Sequence, residues 1–360
     1  MKVVSIVGAR PQFIKAAVVN RAFQETKLIQ EVIVHTGQHF DTNMSDVFFQ
    51  EMHIPKYDYN LNISNLSHGA MTGRMLEKIE EVLLFEKPDF VLVYGDTNST
   101  LAGALAAKKL HINIAHVEAG LRSYNIAMPE EVNRIITDRI SDTLFCPTQR
   151  AVDNLIKEGF DTMNCSVINS GDVMQDAALY YAPFAKKPSI EIPPKFLLCT
   201  VHRTENTDNK DTLTEIMKSL EEISNHFPTL LPLHPRTKSK LEAIGYNFKQ
   251  SKLLFIDPVS YFEMIYLLQH CQLVLTDSGG LQKEAYFFQK KCVTLRNETE
   301  WVELIDSGCN MLAGTSGNRI VSTYKNLFEK EVDFFQSLYG KGNAGQIIAE
   351  QLLSQLMVKG

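Results

Sequence analysis

Leu275-Thr-Asp-Ser-Gly-Gly-Leu-Gln-Lys-Glu-Ala285 joins the end of an apolar run, residues 273–275, to the start of a helical pattern through Asp277-Ser278-Gly279-Gly280. A strand that passes straight into a helix through glycines suits an anion. The first helical N–H groups have no partner in the chain, the helix dipole is positive there, and glycine lets a phosphate come close. Glu284 falls one turn beyond Gly280, on the same helical face, where it could accept from ribose hydroxyls while Ser278 and the amides hold phosphate. The plainer reading is a tight turn that needs glycine for steric reasons alone.

Outward from this stretch the chain repeats the same grammar. Short runs rich in Val and Ile alternate with longer amphipathic segments, the pattern of parallel α/β layers. Strands are expected at residues 3–7, 32–35, 90–94, 114–117, 144–146 and 166–168, with a helix over 11–24 that has Pro11 in its first turn. Pro183, Pro188, Pro193 and Pro194 then interrupt every periodicity, so residues 183–194 read as a linker. A second series follows at 196–200, 230–233, 253–255, 273–275 and 292–294; Pro232 sits awkwardly in it because it cannot donate to a ladder. The expected fold is α/β: two Rossmann-like domains, residues 1–182 and 195–340, facing an interdomain cleft, with a tail at 341–360 whose helix, 344–356, packs back on the first domain.

Composition narrows the function. With 360 residues, 44% hydrophobic and 22% charged, the chain reads as a soluble globular protein of two domains. A formal net charge of -6 leaves no basic excess for nucleic acid. The longest apolar runs, such as Phe90-Val-Leu-Val-Tyr94, are strand-sized, so no membrane partner is expected. The six cysteines have no CxxC spacing, which reads as reduced core thiols, a cytoplasmic setting and no metal site.

The unusual polar residues collect just after strands. The first strand ends in Gly8-Ala-Arg10-Pro-Gln12, with Lys15 one turn on; Arg10 could fork onto a diphosphate and Lys15 add a point charge. The loop His35-Thr-Gly-Gln-His39-Phe-Asp41 follows the second. Asp96, in Tyr94-Gly-Asp-Thr-Asn-Ser-Thr100, is either a catalytic carboxylate or a helix N-cap. In Ile114-Ala-His-Val-Glu118 strand periodicity puts His116 and Glu118 on one face. Glu130 and Arg134 open a helix four residues apart, so an ordinary helical salt bridge competes with an acid–base role. In the second half, His202-Arg203 and His234-Pro-Arg236 follow strands, and Arg296 with Thr299-Glu300 lies near the glycine loop.

Taken in this order, Gly8-Ala-Arg-Pro, Gly95-Asp-Thr, His116-Val-Glu-Ala-Gly-Leu-Arg122, Pro129-Glu-Glu-x-Asn-Arg134, His202-Arg203 and Asp277-Ser-Gly-Gly-x-Gln-x-Glu284 resemble the non-hydrolysing UDP-N-acetylglucosamine 2-epimerase family over essentially the whole chain. The resemblance implies a GT-B-like architecture, a homodimer, no cofactor, and inversion at C2 of a UDP-linked 2-acetamido sugar. The C2 proton has no adjacent carbonyl, so anti elimination of UDP across C1–C2 and syn re-addition through a 2-acetamidoglucal avoid a carbanion. That chemistry needs carboxylates about the sugar and cations at the departing diphosphate. Carried over by motif, Asp96, Glu118 and Glu130 are the acid–base candidates. Arg10, Lys15, Arg134 and His202 surround or hydrogen-bond the pyrophosphate, and Ser278, Gly279, Gly280 and Glu284 hold the UDP moiety.

Members under allosteric control carry a Gln-His-Arg-type loop and an Arg-Gln pair where this chain has Gln38-His-Phe-Asp41 and Ser67-His68, which argues against activation by substrate. Arg10-Pro-Gln-Phe-Ile-Lys15, the His35–Phe40 loop and Thr299-Glu-Trp-Val-Glu303 resemble a sister branch acting on UDP-2,3-diacetamido-2,3-dideoxyglucuronate in surface-polysaccharide pathways. UDP-N-acetylglucosamine is the first candidate substrate and the diacetamido uronate a close second. The rivals are a GT-B glycosyltransferase, a hydrolysing 2-epimerase and a non-catalytic sugar-nucleotide sensor.

Overall fold

The computed structural model describes residues 1–38 and 56–357, apart from the side chains of Arg10 and Met357. The chain divides into two compact units, residues 1–177 with 338–360 and residues 178–337.

In the first unit the strands are β1 (Lys2–Val7), β2 (Gln30–His35), β3 (Tyr59–Asn60), β4 (Phe90–Tyr94), β5 (Asn113–Val117), β6 (Thr143–Cys146) and β7 (Ser166–Asn169). They form one parallel sheet in the order β3-β2-β1-β4-β5-β6-β7. Every residue of β4 is buried, which is why its run is apolar throughout rather than alternating. Val4, Ile6, Val91 and Val93 pack with Met75 and Ile79 of the helix His68–Glu86 and with Ala102, Ala104 and Ala106 of the helix Asn98–Lys109. The alanines let this second helix approach the sheet closely. The last helix, Ala344–Met357, packs on the first, Arg10–Thr26, with Gly345 against Val18 and Ala22.

The second unit holds β8 (Leu197–Thr200), β9 (Thr229–Pro232), β10 (Leu254–Ile256), β11 (Leu273–Thr276), β12 (Lys291–Thr294) and β13 (Asn310–Leu312). They form a parallel sheet in the order β10-β9-β8-β11-β12-β13. Its core gathers Leu197, Cys199, Leu273, Leu275 and Val293 against Leu213, Ile216, Leu220, Ile320 and Leu327.

Two strands escape the sequence patterns. β3 is two half-buried residues with no apolar run, and β13 has a buried Asn310 whose side chain serves Thr294 and Gln282. Pro232 is accommodated because β9 pairs with β8 only at Thr229 and Leu230, so no donor is missed further along. The next amide, Leu233 N–H, resumes the ladder by donating to the Ile256 carbonyl at 2.8 Å. Residues 185–196 form no helix or strand, as their prolines require. All six cysteines are free, and burial pushes the thiols of Cys146, Cys199, Cys271 and Cys292 up, making them poor nucleophiles.

His35, at the end of β2, is buried between the rings of Phe13 and Tyr57, with centroids at 5.0 and 5.3 Å, and neither ring nitrogen has a hydrogen-bond partner among the described residues. Burial lowers its pKa from 6.5 to about 4. The unfolded chain takes up a proton near the ordinary value that the folded chain refuses. The stabilising contribution of the neutral ring is therefore lost as pH falls through this window, by up to about 3 kcal/mol in all. Urea unfolding of wild type and His35→Phe should give a stability difference that moves against wild type between pH 6.5 and 4. A difference independent of pH would contradict the burial argument.

Candidate active site

Each sheet has one point where the strand order reverses: between β1 and β4 in the first, between β8 and β11 in the second. Beyond the carboxyl ends of the strands at such a point, a parallel sheet leaves a crevice for ligands. The candidate residues gather in these loops, in the one after β5 and on the first turns of the helices that follow, with Arg296 after β12.

In the first unit the loops after β1 and β4 are stitched together by Gln12. Its side-chain oxygen accepts from the Gly8 and Ala9 amides at 2.8 and 2.9 Å, while its nitrogen donates to the Tyr94 carbonyl at 2.7 Å and to Thr97 Oγ1 at 2.9 Å. Thr97, not Asp96, caps the following helix, its hydroxyl accepting from Thr100 N–H. The Asp96 carboxylate is thereby free of capping duty and pairs instead with Arg134. Arg134 also pairs with Glu131 at 2.5 Å. The expected i,i+4 pair of Glu130 with Arg134 is thus replaced by an i,i+3 pair. Glu131 is the residue that turns inward, where Ser123 and Tyr124 amides hold it at 2.8–3.1 Å. Burial pushes the Glu131 carboxyl up, but these donors and Arg134 prevail and hold it below the usual range. Glu130 stays exposed on the first turn of the helix Pro129–Ile140.

Glu118 departs from the strand pattern. β5 ends at Val117, and Glu118 turns off it with φ +71°, a left-handed conformation that costs a non-glycine residue roughly 1–3 kcal/mol. The turn carries its carboxylate to Lys15 in a nearly buried ion pair. His116 therefore does not pair with Glu118. It points into the interior, with Nδ1 2.7 Å from Asp138 Oδ1 and Nε2 2.7 Å from the Gly95 carbonyl. Since Tyr94 and Val117 are paired at the ends of β4 and β5, Asp96 and Glu118 are two carboxylates, each with its own cation, at neighbouring strand ends. Two carboxyl groups so placed can serve one carbon as base and as acid. Arg10 and residues 39–41, also singled out in the sequence, lie outside the described side chains and residues.

In the second unit Asp277, fully buried at the end of β11, accepts from the His202 amide at 3.0 and 3.1 Å, from the Arg203 amide at 3.0 Å and from Asn206 Nδ2 at 3.1 Å. One carboxylate thus joins the loops on both sides of the reversal point. The His202 ring stays 42% exposed and faces His234 at 6.0 Å between centroids. The helix Gly279–Phe287 begins on Ser278, whose hydroxyl accepts from Leu281 N–H at 3.4 Å and spends Ser278 on the cap. The N–H groups of Gly279 and Gly280 come before the first intrahelical donor. A side chain at Gly279 would strike Glu300, whose carboxylate is bound by Arg296 at 3.0 Å, whereas Gly280 faces open space. Glu284 is half-buried on the second turn.

The description of one protein family, UDP-N-acetylglucosamine 2-epimerase, matches residues 21–353. The chain belongs to that family. An enzyme of Pseudomonas aeruginosa named UDP-2,3-diacetamido-2,3-dideoxy-D-glucuronate 2-epimerase is 55% identical over 98% of this chain and 99% of its own. A UDP-N-acetylglucosamine 2-epimerase of Methanocaldococcus jannaschii is 41% identical over 98% of this chain and 99% of its own. The solved structure of the Methanocaldococcus jannaschii enzyme with UDP-GlcNAc and UDP has a TM-score of 0.88 at 40% identity, covering 98% of this chain and 100% of that one. The Neisseria meningitidis enzyme bound to UDP-GlcNAc has a TM-score of 0.85 at 32% identity, with the same coverage. These likenesses and the two parallel sheets identify the fold of this 2-epimerase family member as GT-B-like, bearing out the resemblance in its motifs.

Among the described residues no helix is long and apolar enough to cross a membrane. Sequence reasoning did not assign Gln12, Glu131, Asp138 or Asp277, the side chains that hold the loops in place. A signal existed for two: Glu131, Arg134 and Asp138 recur at i, i+3 and i+7, a charged stripe on the face that its helix buries.

Proposed function

We propose that the chain inverts C2 of a UDP-linked 2-acetamido sugar without net hydrolysis, and that its preferred substrate is UDP-2,3-diacetamido-2,3-dideoxyglucuronate. The observation that carries the choice of sugar is the identity gradient: 55% to the enzyme named for that uronate, against 48% to a protein named as a UDP-N-acetylglucosamine 2-epimerase homolog and 43% and 41% to enzymes named for UDP-N-acetylglucosamine. This reverses the order of the two substrates reached from motifs alone.

The reaction follows from the chemistry of C2. A carboxylate takes the C2 proton, the C–H pair becomes the C1–C2 double bond, and the C1–O bond breaks with its electrons leaving on UDP. The 2-acetamidoglucal stays bound; UDP re-adds at C1 and a proton arrives on the opposite face of C2. Asp96 and Glu118, with Glu130 as third candidate, are the groups we assign to these transfers. Lys15 and Arg134 are the cations we assign to the diphosphate and His202 a hydrogen-bond partner for it, with Ser278, Gly279, Gly280 and Glu284 about the nucleotide and Arg296 beside them. The ion pairs of Lys15 and Arg134 support this reading, because a cation held at a carboxylate can be shared with a phosphate.

Purified protein incubated with each nucleotide sugar in turn decides the substrate. The proposal expects kcat/KM for the diacetamido uronate at least about tenfold above that for UDP-N-acetylglucosamine, a difference of about 1.4 kcal/mol in transition-state binding. The reverse preference would return the chain to the UDP-N-acetylglucosamine enzymes. Release of free sugar with each turnover would favour the hydrolysing alternative.

A further inference from the structure

Behind the two strand-end carboxylates lies a fully buried charged group that the reaction does not use. Asp138, on the helix Pro129–Ile140, has no exposed surface, and three groups converge on its carboxylate: the His116 ring, the Gly120 amide and the Arg122 guanidinium. Its Oδ1 meets His116 Nδ1 at 2.7 Å, and the other ring nitrogen of His116 holds the Gly95 carbonyl at 2.7 Å. Its Oδ2 accepts from the Gly120 amide at 3.1 Å and from Arg122 Nη1 at 2.7 Å. Gly95 immediately precedes Asp96, and Gly120 lies two residues beyond Glu118. Both loops run through left-handed backbone: Gly95 at φ +63°, Glu118 at +71° and Gly120 at +79°. At Gly120 a side chain would also collide with the Ala151 carbonyl. Turns of this kind persist only where their surroundings hold them.

The geometry points to Asp138 as a positioning residue: through His116 it fixes the Gly95–Asp96 turn, and through Gly120 and Arg122 the turn that carries Glu118. One buried carboxylate thereby sets the spacing of two acid–base groups on different loops. Proton transfer to and from carbon is sensitive to such spacing, since a displacement of about 1 Å can cost about a hundredfold. The proposal rests on the assignment of Asp96 and Glu118 to the proton transfers.

Three variants test it. Asp138→Ala removes every link, and its kcat per folded molecule should fall by about thirtyfold or more, with KM and UDP affinity by calorimetry within about threefold. Asp138→Asn can keep the links, its amide donating to His116 Nδ1 and its oxygen accepting from Gly120 and Arg122. It should therefore recover at least about tenfold over the alanine variant. His116→Phe keeps ring volume and cuts only the Gly95 branch, and should lose about tenfold in kcat alone. A purely structural role would lower the melting temperature and leave kcat per folded molecule unchanged, which would overturn the proposal. Equal losses in folded Asp138→Ala and Asp138→Asn would overturn it as well, because charge rather than placement would then matter. If the alanine variant does not fold, His116→Phe decides, with unaltered kcat as the contrary result. If neither folds, a loss beyond about thirtyfold in folded Asp138→Asn is contrary. Asp96→Asn and Glu118→Gln, run alongside, separate the two ideas. Full turnover in both removes the acid–base assignment and the proposal with it; loss in both beside normal Asp138→Ala removes only the positioning role.

Discussion

Asp96→Asn, Glu118→Gln and Glu130→Gln are each expected to cut turnover by at least about a hundredfold, the scale of a well-placed general acid or base. The changes keep shape and remove the ability to carry the proton. For Asp96 and Glu118 the fold gives added reason. Asp96 is spared from helix capping by Thr97, and Glu118 occupies a left-handed backbone conformation that places its carboxylate beside Lys15. Neither feature is needed for a stable sheet. Glu130 is exposed, so its substitution should leave stability within about 0.5 kcal/mol and affect turnover alone. Steady-state rates and thermal melts on the same samples check both statements. Near-normal turnover in all three would leave the pairs of Asp96 and Glu118 as structural ion pairs; an effect missing from one would remove that residue only.

Arg122→Ala should be the most destabilising single change near the site. The Arg122 side chain is 1% exposed and its guanidinium spans two carboxylates, Asp138 at 2.7 Å and Glu158 at 2.7 Å, while donating to the Leu121 carbonyl at 2.7 Å. Burial pushes its pKa down, but Glu158 and Asp138 more than offset that and raise it, so the group is charged throughout the working range. Its removal leaves Asp138 buried with one cationic partner fewer, and breaking a buried pair from one side typically costs about 3–5 kcal/mol. Urea unfolding followed by a probe in the first unit should show the midpoint move by that equivalent. Glu158→Ala is the comparison: this carboxylate is 31% exposed, and its loss should cost about 1 kcal/mol or less. Similar small losses in both variants would mean that water reaches Asp138 and that its burial matters little.

The fold was legible because parallel strands buried on both faces leave long apolar runs, and because ligand-binding residues collect after them. The loops after β1, β4, β5, β8 and β11 were all recognised as polar departures from such runs. What stayed hidden were features set by neighbours rather than by local pattern. β3 borrows its place from β2, and β13 buries an asparagine that only Thr294 and Gln282 can satisfy. The alternation rule placed His116 with Glu118, but the strand stops one residue earlier and a left-handed turn separates them. The salt bridge expected of Glu130 passed to Glu131, because the amides of Ser123 and Tyr124 await a carboxylate on that side of the helix. Spacing alone cannot say which of two adjacent glutamates turns inward.

The most direct test is proton NMR of UDP-2,3-diacetamido-2,3-dideoxyglucuronate, and separately of UDP-N-acetylglucosamine, incubated with the protein in deuterium oxide. Removal of the C2 proton and its return from solvent predict deuterium at C2 of an intact nucleotide sugar, together with the appearance of the C2 epimer. Epimerisation with the original proton retained at C2 would contradict that route. An intact substrate with neither exchange nor epimer, for both sugars, would contradict the assignment of this chain as a working 2-epimerase.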